Sequence, residues 1–237
     1  MKRVGAALRE ALSKDSKREH QTSRSGAWAM GENEARVLSY VSHHPCSIKS
    51  HIAAALGISQ ASVDWHIRKL VKNDLVSVRR AESRQSYAPV GMLRDEELRL
   101  FSLLANEFAR QVFHELASRE GAAQEELAKV LGVSRQSLGR FLRDLQGAGA
   151  VHAIKDGRNV RYYPSDLMSG GADVYLDRRR TFLEGVLSRL TALGFKHKVV
   201  KNDPSEVHIL VGPPGKQVAV RLGLNPYVTA LWLDKNM

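Results

Sequence analysis

Two short runs of this sequence concentrate side chains that can read nucleic acid. Gln60, Ser62, Asp64, Arg68, Lys69 and Lys72 fall in one run, and Arg135, Gln136, Arg140 and Arg143 in the other. A glutamine can pair a donor and an acceptor with adenine, an arginine can reach guanine or a phosphate, and an aspartate can accept from a cytosine amine. Lys69 and Lys72 lie farther along and suit phosphates. Asp64 could equally pair with Arg68 one helical turn on. A second basic cluster follows each run: Arg79, Arg80 and Arg84 after the first, Lys155, Arg158 and Arg161 after the second. Arginines on a hairpin can follow the phosphate backbone or enter a minor groove. A solvated charged loop is the plainer alternative.

Other chemistry is thin. His43, His44, Cys46 and His51 invite a metal reading, since imidazole and thiolate suit zinc or copper. Adjacent histidines do not readily converge on one tetrahedral ion, so no metal or other cofactor is expected. The sequence has no P-loop, no HExxH and no G-x-S-x-G, and no enzyme is expected. Gly212-Pro213-Pro214-Gly215 is not a phosphate loop, because its prolines lack amide donors.

The chain has 237 residues, with 36 Lys+Arg against 25 Asp+Glu and a net charge of +11. That surplus argues for an anionic partner. The single cysteine excludes an internal disulfide and fits a reducing compartment. No stretch reaches the about 20 apolar residues that a membrane helix takes. Arg9 and Glu10 interrupt the first apolar run too early for a signal peptide. A cytoplasmic protein with no membrane partner is expected. Residues 1–30, 31–93 and 169–237 carry net +4, +3 and +4, while 94–168 is neutral. The acids of the neutral segment mostly precede Arg135, so its charges must be segregated by face.

Positioning these residues falls to an internal repeat. Shifted by 75 residues, Leu56-Gly57-Ile58-Ser59 meets Leu131-Gly132-Val133-Ser134, Ile67-Arg68 meets Leu142-Arg143, and Tyr87 and Pro89 meet Tyr162 and Pro164. Apolar spacing predicts helices at about 32–42, 48–56 and 60–72, then at about 104–118, 124–131 and 135–146. Gly57 and Gly132 suit a left-handed helix end, and Ser59 and Ser134 suit N-caps. Beta-prone runs flank Arg79 to Arg84, and others flank Lys155-Asp156-Gly157-Arg158, where Asp-Gly signals a hairpin. Gly139, Gly147 and Gly149 depart from the first copy and should weaken the last helix of the second.

Helix, helix, turn, helix, hairpin is the winged helix-turn-helix plan. The run from Leu56 to Leu70, with Asn73-Asp74-Leu75-Val76 after it, resembles the ArsR/MarR-type regulators of bacteria and archaea. The resemblance covers roughly 32–93 and 105–168. It implies a third helix lying in the major groove, and its metal-sensing members are what bring the His/Cys cluster to attention. Trp65 falls on the side opposite Val63, Ile67 and Leu70 and is expected to pack, at a dimer or inter-domain contact, rather than insert at DNA. His66 is expected to lie at the core edge.

Residues 94–108 read as a linker helix that merges with the first helix of the second copy. Met168 to Gly171 reads as a boundary, followed by a helix over 174–193. Strands are expected at 198–200, 207–211, 218–222 and 227–232. The triplet Arg178-Arg179-Arg180 reads as a solvated face.

The expected fold is mainly α with small β (α+β). A basic arm (1–30) precedes two tandem winged helices (31–93 and 94–168) and a small α+β domain (172–237). The expected function is a sequence-specific DNA-binding transcriptional regulator. Its partners would be double-stranded DNA, a second copy in a homodimer, and a small effector or protein at the C-terminal domain. The alternatives are a tandem winged-helix scaffold for protein partners and a nonspecific chromatin-associated DNA binder.

Overall fold

The computed structural model describes residues 29–81 and 84–231, without the side chains of Ala81 and Arg84. The basic arm up to residue 28, the hairpin tip at Glu82 and Ser83, and Trp232 lie outside the described residues.

Three helices come first: α1 (Glu32–His43), α2 (Lys49–Leu56) and α3 (Gln60–Lys72). Gly57 closes α2 at φ 66°, a left-handed conformation that costs glycine little. Ser59 then caps α3, its Oγ accepting the Ser62 amide at 3.1 Å. Val63, Ile67 and Leu70 recur at helical spacing and bury against Val37, Leu38, Val41 and Ile52. Strands β1 (Val76–Ala81) and β2 (Arg84–Pro89) form an antiparallel hairpin with Val76 opposite Pro89. One bridge, Ser47 with Tyr87, ties the hairpin to the turn before α2.

A 3-10 turn, Asp95–Glu97, leads into α4 (Leu98–Leu104). The expected merged helix is broken here. Asn106 caps a new helix, α5 (Glu107–Ser118), its Oδ1 accepting the Phe108 and Ala109 amides at 2.9 and 3.3 Å. The earlier order then returns with β3 (Ala122–Ala123), α6 (Gln124–Leu131), α7 (Arg135–Gly147), β4 (Val151–Asp156) and β5 (Asn159–Pro164). Pairing follows the 75-residue offset: Val151 lies opposite Pro164, and Ala122 opposite Tyr162. Gly132 has φ 65° and Ser134 caps α7 at 3.1 Å. Despite its glycines α7 is unbroken, with Leu138, Leu142 and Leu145 buried.

The next helix, α8 (Leu167–Ala192), runs through the expected boundary at Gly170-Gly171. Packing explains Gly171, where any side chain would collide with the ring of Tyr227. Strands β6 (His197–Asn202), β7 (Glu206–Val211) and β8 (Val218–Gly223) form an antiparallel meander in that order. The expected fourth strand at 227–232 is instead a short helix, α9 (Pro226–Thr229). Asn225 caps it, and Pro226 occupies its first position, where a missing amide costs nothing.

This last sheet docks on α1. Ser39 and Ser42 hydroxyls accept the amides of Arg221 and Gly223, both at 3.0 Å. Buried Glu206 accepts from His43 Nε2 at 2.9 Å, from Arg221 Nη2 at 2.9 Å and from His208. The hydrogen bond from His43 leads in holding the Glu206 carboxyl well below the usual carboxylate range, against its burial. Arg178 is not the solvated residue expected of its triplet. It donates twice to Glu97, at 2.7 and 3.2 Å, and once to the Met92 carbonyl at 3.1 Å. The fold is thus mixed α/β. Among the described residues no helix is long and apolar enough to cross a membrane.

Candidate nucleic-acid interface

Burial of one face of α3 fixes which residues remain outside. Gln60, Ala61, Trp65, Arg68 and Lys72 are exposed, while Val63, His66, Ile67 and Leu70 are buried. Ser62 is half-buried and donates its amide to the cap. Asp64 is held between two cations, Lys49 of α2 and Arg68 one turn on. The hydrogen bond from Lys49 leads in lowering its carboxyl pKa, with Arg68 adding to the effect. The three side chains together keep one positive charge, so this acid does not make the face anionic.

Lys69 is paired within the chain. Its Nζ lies 2.6 Å from Oε1 of buried Glu34 and 3.7 Å from the centroid of the Trp65 ring. Burial alone would raise the Glu34 carboxyl, but the His66 ring 3.7 Å away and hydrogen bonds from Lys69 and the Gly31 amide outweigh it and hold the pKa down. A neutralised lysine contributes little to phosphate attraction. Trp65 lies on the outer face of the helix, opposite Val63, Ile67 and Leu70, and is 39% exposed.

The outer face of α7 carries Arg135, Gln136, Arg140 and Arg143, all exposed. Arg135 approaches Glu125 at 3.6 Å, an exposed pair of small energetic weight. Gln124 Nε2 donates to the Arg135 carbonyl at 2.5 Å and so braces the start of the helix. The acids of this segment sit mostly on other elements: Asp95 to Glu97 before α4, Glu107 and Glu115 on α5, Glu125 and Glu126 on α6. Asp144 is the one acid within α7.

The hairpins divide their cations. Arg80, Lys155 and Arg158 are exposed. Arg79 is half-buried and donates to Asp95 at 3.3 Å. Arg161 donates to Asp156 at 2.6 Å and to the Gly121 carbonyl at 2.9 Å, tying its strand to the turn before β3. Arg84 starts β2, opposite Ala81.

The His/Cys cluster is dispersed. His43 turns to Glu206, the His44 ring lies against Tyr40 at 5.0 Å, and His51 Nδ1 meets the Ala105 carbonyl at 3.0 Å. Cys46 is buried. Among the described residues no group of three or more His, Cys, Asp or Glu could hold a metal.

No protein-family model matches the chain. A curated protein of Methanocaldococcus jannaschii, described as an uncharacterised HTH-type transcriptional regulator, is 24% identical over 135 residues. That match takes in 56% of this chain and spans about a third of the relative's length, 34%. The likeness is to a helix-turn-helix regulator. Among solved structures, an ArsR-like transcriptional regulator from Rhodococcus sp. RHA1 is 26% identical over 42% of this chain and 90% of its own, with a TM-score of 0.36. The transcriptional regulator SlyA is 15% identical over 36% and 66%, with a TM-score of 0.26. These three proteins are each described as a transcriptional regulator and none as an enzyme.

Sequence reasoning missed Glu34 and Lys49, which set the charge state around α3. Glu34 carries a local signal that could have been read, an acid three residues after Gly31 whose Oε2 accepts the Gly31 amide at 2.9 Å. Lys49 carries none, because its partner Asp64 is 15 residues away on another helix.

Proposed function

We propose that the chain is a DNA-binding transcriptional regulator with two winged-helix units, residues 31–93 and 94–168. In this reading α3 and α7 lie in successive major-groove segments, and the hairpins follow the backbone. The observation that carries it is the outward face of the two capped helices. Gln60, Arg68 and Lys72 on one, and Arg135, Gln136, Arg140 and Arg143 on the other, stand exposed on helices whose opposite faces are buried. Arg80, Lys155 and Arg158 extend each surface along its hairpin. The regulator matched over about half of the chain supports the same reading. Lys69, Arg79 and Arg161 serve here as supports, because each is half-buried as well as paired within the chain, whereas the paired Arg68 and Arg135 remain exposed. A homodimer would place the helices on a long palindromic site, since protein symmetry is mirrored in the operator. The proposed place of action is the cytoplasm.

The test is capture of sheared genomic DNA by the full chain across a salt series, followed by sequencing. Discrete enriched sites are expected, with log affinity falling against log salt by about 0.9 per phosphate contacted. Arg68→Ala and Arg140→Ala should each cost about 1–3 kcal/mol at a base contact. Capture without enriched sites would overturn the reading in favour of a nonspecific DNA binder, and absent or salt-indifferent capture in favour of a protein scaffold.

A further inference from the structure

The outer face of α3 holds one large apolar side chain. Ala61, Trp65, Arg68 and Lys72 follow each other at steps of four, three and four residues, the spacing of one helical face, and all are exposed. Trp65 is 39% exposed at the centre of that stripe. At the 75-residue offset its counterpart on α7 is Arg140, also exposed. The position is therefore an outward one in both helices.

The indole is braced on the protein side. Lys69 Nζ sits 3.7 Å from the ring centroid, and Glu34, 1% exposed, holds that ammonium at 2.6 Å. The buried His66 ring meets the indole at 4.8 Å in an edge geometry. A cation over an aromatic face and an edge-on ring both restrain the indole. An exposed tryptophan held from behind by a half-buried ion pair is organised for contact before any partner arrives.

The rest of the face identifies the partner. Gln60, Arg68 and Lys72 surround Trp65, and Asp64 is neutralised by Lys49 and Arg68. Two copies of such a face would repel, whereas an anionic groove would attract it. The apolar feature that a major groove offers is the 5-methyl group of thymine.

We infer that Trp65 is a direct DNA contact that recognises the 5-methyl group of thymine, and that Lys69, held by Glu34, positions its indole. The inference rests on the DNA-binding reading above and adds a base preference to it.

The experiment selects a preferred site from a random duplex pool with the full chain. Each thymine of that site is then replaced by deoxyuridine, which removes the methyl group alone. Affinities of wild type and Trp65→Ala are read by the anisotropy of labelled DNA. At one or two thymines the replacement should weaken wild type about fourfold, the worth of one buried methyl. Trp65→Ala should bind the parent site about tenfold more weakly and lose that discrimination. Trp65→Leu, which keeps apolar surface, should retain part of it. In a Trp28→Phe, Trp232→Phe background, Lys69→Met should add fast local motion to the fluorescence anisotropy decay of Trp65 while circular dichroism stays unchanged.

Wild-type affinity in Trp65→Ala, or an unchanged deoxyuridine penalty, sinks the inference. So does loss of self-association or of an acidic protein partner with DNA affinity intact, which would make the ring a protein contact. Failure of the broader reading looks different. In that case no site is selected, and Arg68→Ala and Arg140→Ala change nothing.

Discussion

His44 shows how one buried side chain sets a pH response. It is 1% exposed, and its pKa is pushed down to about 3 from the ordinary 6.5. Burial is the main cause, the charges of Arg110 and His43 add to it, and a hydrogen bond with the Ala230 backbone opposes it. The unfolded chain takes up a proton near 6.5 that the folded chain refuses until about 3. Stability from this group is therefore full above pH 6.5 and declines as pH falls toward 3. Between pH 7 and pH 5 the loss is about 2 kcal/mol. Glu206 and Asp203 have lowered pKa values, so their contributions fade only below their ordinary 4.5 and 3.8. Urea midpoints at pH 7 and pH 5 check the assignment. His44→Phe should lose most of the wild-type difference, and an equal difference in both proteins would exclude His44 as its source.

At the scale of elements, α3 and α7 share a register and differ in chemistry. The offset aligns Gln60 with Arg135, Asp64 with Gly139 and Arg68 with Arg143. The acid that binds Lys49 and Arg68 on α3 thus has no counterpart on α7. Asp64→Asn should release two cations to the outer face, strengthen nonspecific duplex binding, and steepen the log-log salt slope by about one. Anisotropy titrations at several sodium chloride concentrations measure this. Weaker binding confined to sites with one particular cytosine would instead assign Asp64 a base contact. The spans of α3 and α7 were legible because caps, left-handed glycines and apolar spacing are local signals. The Asn106 break and the α9 helix carried local signals too, Asn at an N-cap and Pro at the first helical position. There the apolar pattern was the wrong guide.

Over the whole molecule, the carboxy-terminal sheet is joined to α1. Gly223 sits at that contact, where a Cβ would come within 2.6 Å of the Ser42 carbonyl oxygen. Neither the oxygen nor β8 can yield alone, since the Gly223 amide is bonded to Ser42 Oγ. Gly223→Ala should cost about 1–3 kcal/mol and speed proteolytic cleavage between α8 and β6. Urea unfolding and limited proteolysis read the two effects, and unchanged behaviour in both would show that the sheet does not depend on this contact.

The sequence by itself determined the repeat, the capped helices, both hairpins and the basic character of their outer faces. Those features follow from periods, caps and turns spanning a few residues. The tertiary structure alone decided which charges are paired within the chain and where the last sheet docks. Lys69 meets Glu34 across 35 residues, and His43 meets Glu206 across 163. No local pattern encodes such pairs, because they exist only once packing has brought distant elements together.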